Sequence, residues 1–129
     1  MLHDEIKDFL DFIRDIEQRY HISIEDEQAS NDETQDILHM LELLPMDDDS
    51  LLKAAKCAVE TRKKRRRAKD FVAACTPIVK WAEENRSVIK SLERLLGDVR
   101  KEERSTENRF YTPRTSICTD IVKEVEQHG

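Results

Sequence analysis

The sequence predicts an all-α protein, an elongated helical bundle or coiled coil built around one long basic helix and assembling as an oligomer. Three observations predict it. Apolar residues recur at helical steps through most of the chain. Glycine and proline are scarce, at 2 and 3 residues, and 39% of the residues are charged while only 5% are aromatic. That composition describes helices with thin apolar layers rather than a wide globular core. The 129 residues read as one domain in three parts. An acidic helical segment covers 1–49, a long basic helix or helix pair covers 50–104, and an extended arm with a short C-terminal helix covers 105–129.

In the first part, Leu2, Ile6, Phe9, Ile13, Ile16 and Tyr20 recur at steps of 4, 3, 4, 3 and 4. This is the seam of a helix that packs along another helix. Leu10 and Phe12 widen it, and Asp4, Asp8, Asp11 and Asp15 flank it. The helix is expected to end near Tyr20–Ser23, where His21-Ile22-Ser23-Ile24 alternates and is β-branched. A second helix is then expected, capped by Ser30 or Asn31 with Glu33 in a capping box, and buried through Ile37, Met40, Leu41 and Leu44. Pro45 stops it. The three aspartates at 47–49 lack the alternating ligands, central glycine and distal glutamate of a calcium loop. They read as acids ahead of a helix that Ser50 caps.

From Leu51 a long helix begins, with a seam through Ala54/Ala55 and Ala58, then Ala68, Phe71/Val72 and Cys75. Pro77 either opens a new helix, with Thr76 as its cap, or kinks a continuous one. Apolar residues continue through Ile78, Val79, Trp81 and Ala82, then Val88/Ile89, Leu92, Leu95/Leu96 and Val99. Uninterrupted, residues 50–104 span roughly 80 Å at 1.5 Å per residue. Such a length needs a covering helix, which predicts a homo-oligomer, a dimer through this helix. Beyond Arg104 the segment ENRFYTPR (107–114) reads as extended, and Ile117, Ile121, Val122 and Val125 mark one face of a last helix.

Six consecutive cations, Arg62 to Arg67, cut across the seam. Between Ala58 and Ala68 the positions due on it are Thr61 or Arg62, and Arg65. A helix turns about 100° per residue, so six in a row cannot share one wet face. They lie on a solvated surface, or pair with acids of the first helix such as Asp8, Asp11 or Asp15, or converge on an anionic ligand. The net charge of −6 hides the asymmetry behind these options. Residues 1–52 hold 16 acids and 3 bases, and residues 53–104 hold 16 bases and 8 acids. A compact anion such as a nucleotide needs only a few local arginines. Nucleic acid fits less well, because its binders present a broadly cationic field.

Phosphate loops, nucleophile elbows and HExxH motifs are absent, the four histidines are scattered, and the reading is non-catalytic with no cofactor or metal. Cys57, Cys75 and Cys118 fit no zinc spacing and read as reduced thiols in a cytoplasmic protein, Cys75 packing as a small hydrophobe. No apolar run approaches the length of a membrane span.

The motifs RRRAKD (65–70), TPIVKW (76–81), LGDVRK (96–101) and ENRFYTPR (107–114) resemble small helical proteins encoded by phages and prophages of Gram-positive bacteria. The resemblance covers about residues 36–114. It implies the host cytoplasm and a role against host defences, either sequestering nucleotide immune signals or blocking a host protein. Joined to the charge pattern, it gives the leading expectation of an anionic, nucleotide-like ligand held by Arg62, Arg65, Arg66 and Lys69. Arg109, Tyr111 and Arg114 would close that site. The alternative is an inhibitor that blocks a host protein through the acidic segment 1–52. Further alternatives are a structural coiled coil and a nucleic-acid binder.

Overall fold

The computed structural model describes residues 1–128, which form four helices and no strand. These are α1 (Leu2–Leu43), α2 (Asp48–Glu84), α3 (Arg86–Glu107) and α4 (Ser116–His128). The chain runs up α1, turns at 44–47, and returns along α2 and α3. Residues near the start of α1 meet the end of α3, and residues near its end meet the start of α2, so the pair is antiparallel. His3 meets Glu103, Ile16 packs with Cys75 and Val79, and Glu33 meets Thr61. None of the other helices packs on α4.

The seam keeps a strict alternation of three- and four-residue steps, which holds one face of a helix against its partner. On α1 it runs Ile13, Ile16, Tyr20, Ser23, Glu27, Ser30, Thr34 and Ile37, all buried or half-buried. On α2 it runs Ala54, Ala58, Thr61, Arg65, Ala68, Val72, Cys75, Val79 and Ala82. Past the junction it continues through Ile89, Leu92, Leu96 and Val99. Small residues dominate the α2 side and let the helices approach closely. The apolar core is concentrated at the open end, where Leu10, Ile13, Ala82 and Ile89 form one cluster and Ile16, Cys75 and Val79 a second.

Three expectations need correction, and of the two readings of Pro77 the continuous helix is the one seen. The first helix does not end at Tyr20–Ser23. It continues through Ser30, which is buried on the seam instead of capping a second helix. Its real end follows from Pro45, as expected. Ser50 is not the cap of α2: Asp47 is, its carboxylate accepting from Ser50 N at 2.8 Å. Pro77 neither splits nor ends α2, and Thr76 lies inside it with its hydroxyl donating to the Val72 carbonyl at 2.7 Å. The break falls at Asn85, whose backbone leaves helical geometry at φ −122°, ψ 35° and whose amide donates to the Trp81 carbonyl. Finally, the long basic stretch is covered by α1 of the same chain, so its length alone does not call for a second copy.

Ion pairs close one flank of the open end. Arg86 grips Glu17 with two hydrogen bonds of 3.0 Å, Arg14 reaches Glu93 at 3.0 Å, and His3 Nδ1 lies 2.7 Å from Glu103. The hydrogen bond from His3 holds the Glu103 carboxyl below its ordinary range, and hydrogen bonding from Ser50 does the same at Asp47. A carboxylate with a lowered folded pKa contributes stability that is present above its unfolded value and lost as pH falls through the folded one. The melting temperature is therefore expected to drop as pH falls through and below the ordinary carboxylate range. Glu103→Gln and Asp47→Asn together should flatten that slope in a helicity-monitored pH series.

Candidate functional site

The cationic run sits where the α1 seam turns polar. Thr61 and Arg65 take the seam positions, Thr61 buried and Arg65 half-buried. Arg65 Nε donates to Asn31 Oδ1 at 2.9 Å, and the Thr61 hydroxyl donates to Glu33 Oε2 at 3.1 Å. A guanidinium does occupy the inward stripe where an aliphatic side chain was due. What meets it is a neutral amide, not a carboxylate. Asp8, Asp11 and Asp15 are not its partners: Asp11 pairs with Lys7 and Asp15 with Arg19, both within α1. Because α1 is unbroken, its register sets residues 26–33 opposite 61–68 and carries those three aspartates toward the open end.

Polar groups on a seam stabilise less than apolar ones but fix register. Arg65→Leu is expected to raise stability by roughly 1–2 kcal/mol, read by urea unfolding, while Asn31, half-buried, turns to solvent.

Around Arg65 the remaining cations divide. Arg62, Arg66 and Lys69 are exposed on one flank, where Arg66 faces Asp70 at 3.9 Å. Lys64 and Arg67 lie on the other flank, where with Asp26 and Glu33 they line a cleft of about 450 Å³ floored by Ala68 and Phe71. Arg109, Tyr111 and Arg114 are exposed in the arm beyond α3. Asn31, level with Arg65, and His3, level with Glu103 near the end of α3, are 28 residues apart on α1. That is about 42 Å at 1.5 Å per residue. Arg109, Tyr111 and Arg114 therefore do not close a site over Arg62, Arg65, Arg66 and Lys69 within one chain.

A second line of residues runs beside the seam, at three- and four-residue steps on α1 and at steps of three, four or seven on α2 and α3. On α1 it passes through Phe9, Phe12, Ile16, Arg19, Ser23, Asp26, Ser30, Glu33, Ile37, Met40 and Leu44. On α2 and α3 it passes through Lys53, Cys57, Lys64, Arg67, Phe71, Ile78, Trp81, Val88 and Leu95. Contacts place both lines on one side of the hairpin. Phe9 meets Trp81 edge-to-face at 6.4 Å, and Arg19 lies 4.7 Å over the Phe71 ring. The charged cleft contains Ser23, Asp26, Lys64 and Arg67. At the turn, Met40, Leu44, Met46 and Cys57 line an apolar cleft of about 480 Å³.

This side is thus apolar at the open end, charged in the middle and apolar at the turn. Phe9, Phe12, Trp81, Val88 and Leu95 are each 39–48% exposed, an unusual density of large apolar groups in water. The opposite flank at the open end is the one closed by ion pairs. Sequence reading found Phe9, Phe12 and Trp81 as apolar but assigned them to the buried stripe; the seven-residue recurrence of Trp81, Val88 and Leu95 beside the seam was the available signal. Fold and site together define an antiparallel helical hairpin with a second, unsatisfied packing face. Comparison with protein-family models, with curated proteins and with solved structures finds no match.

Proposed function

We propose that this chain is a non-catalytic protein-binding module, a coiled-coil hairpin that docks a protein along the side carrying Phe9, Trp81 and Val88. The asymmetry of the open end carries the reading. One flank is closed by two cross-helix ion pairs and the His3–Glu103 hydrogen bond, while the other leaves five large apolar side chains in water. Burial of such a strip contributes about 25 cal/mol per Å², and a central Trp is a typical anchor. The acidic segment is a poor mimic of an anionic partner, since its acids at 25–36 stand beside the cations of α2.

A photo-crosslinking residue placed at Val88, compared with one at Arg62, tests this in the cells that produce the chain. Discrete crosslinked protein at Val88 and none at Arg62 is the expected result. Absence of any crosslink at Val88 would overturn the reading.

One observation favours anion binding as a second reading. Arg62, Arg66 and Lys69 point outward together with no α1 carboxylate paired to them. Calorimetry with linear and cyclic nucleotides should then give heat that Arg62→Ala with Arg66→Ala removes. An athermal, shift-free panel discards that reading.

A further inference from the structure

We infer that the protein docked on this side is a second copy of the chain, its turn at the same end, with α1 of each copy lying over α2 and α3 of the other. The inference rests on the protein-binding reading above and names its partner.

Three observations support it. The side is self-complementary in charge. Its α1 line presents Asp26 and Glu33, and its α2 line presents Lys64 and Arg67 at the same level. A two-fold axis running along the hairpin sets α1 over the partner's α2, so acids meet cations twice. A two-fold axis across the hairpin sets α1 over α1, so Asp26 and Glu33 no longer meet the partner's Lys64 and Arg67.

Next, the two charged blocks do not neutralise each other in the single hairpin. Residues 25–36 carry six acids and no base, and residues 62–69 carry seven bases and no acid. Among the described residues no ion pair joins the two blocks. The apolar strips flanking the charged zone fall in register in the same arrangement, Phe9 and Phe12 of one copy over Trp81 and Val88 of the other.

The third observation is area. The chain exposes 10357 Å², where a compact monomer of its mass would expose about 7,100 Å². Part of the excess belongs to the arm and α4, which stand off the hairpin. A stable dimer needs only about 800 Å² from each partner, and the side runs the length of α1, some 60 Å at 1.5 Å per residue. Turning two such hairpins face to face makes a four-helix bundle.

Sedimentation of the full chain tests the assignment. Wild type is expected at twice its 15.2 kDa mass. Val88→Glu should shift it to monomer, with circular dichroism unchanged because Val88 is surface-exposed. Asp26→Lys alone and Lys64→Glu with Arg67→Glu should each weaken self-association by at least about tenfold. Mixing those two variants should restore a dimer containing one of each. A wild-type chain that stays monomeric to about 100 times the concentration of a typical micromolar dimer overturns the inference. So does an Asp26→Lys chain that associates more tightly, which would mean α1 faces α1. A monomeric chain that still crosslinks at Val88 to a different protein sinks this partner while leaving the protein-binding reading intact.

Discussion

Leu10→Ala is expected to lower the stability of the hairpin by about 2–3 kcal/mol, measured by urea unfolding followed through helicity. Leu10 is 2% exposed and packs with Ile13, Ala82 and Ile89, inside a shell of Ile6, Ile78, Leu92 and Leu96. Truncation removes the transfer free energy of its side chain and leaves a void. The layer is only two helices thick, so its neighbours can partly collapse, which holds the loss to the lower half of the usual range. For a domain whose net stability is about 5–15 kcal/mol, this is a large fraction. The same truncation on α4, Ile121→Ala, should change stability by less than about 0.5 kcal/mol, because Ile121 is exposed and no other helix packs on α4. Equal losses at both positions would contradict the described core.

The second large effect is steric. Ala82 has no exposed surface and faces the Leu10 cluster. Ala82→Leu forces extra volume between α1 and α2 beside Leu10, at a cost of about 1–3 kcal/mol. The double variant Leu10→Ala with Ala82→Leu exchanges that volume across the interface. It should be more stable than the sum of the singles predicts, by about 1 kcal/mol or more. Simple additivity would mean that the two side chains do not share one space, and the register of α1 against α2 would have to be redrawn.

Particular residues explain what could be read in advance. The apolar seam of α1 up to Tyr20 and that of α2 around Cys75 were legible because aliphatic residues fill every due position. The middle of α1 was not. Ser23, Glu27, Ser30 and Thr34 keep the seam spacing but carry no apolar signal, so one helix of 42 residues reads as two. That misreading moved the acids. With the helix ending near Tyr20, Asp8, Asp11 and Asp15 are the natural partners for the arginines; with α1 continuous, Asn31 and Glu33 arrive instead. Arg65 itself was legible as a seam arginine, because its position depends only on local spacing within α2. Pro77 left a new helix and a continuous one equally open. It removes one hydrogen-bond donor, but Ala73 and Pro77 are exposed and the freed carbonyl can be solvated, so the helix passes through. The separation of Arg65 from Arg109 and Tyr111 depends on the reach of two long helices, which no local motif encodes.

The docking side was the least legible feature, since half of its positions are polar and its apolar members look like ordinary core. It places the only tryptophan of the chain, Trp81, on the contact strip against Phe9. Acrylamide quenching of Trp81 fluorescence therefore probes the central claim directly, in dilute purified chain and in the assembled form taken intact from producing cells. Docking along the Phe9–Trp81–Val88 strip predicts a clear fall in the quenching constant and a blue-shifted emission in the assembled form. Identical quenching in both forms, with assembly verified by mass, would contradict it.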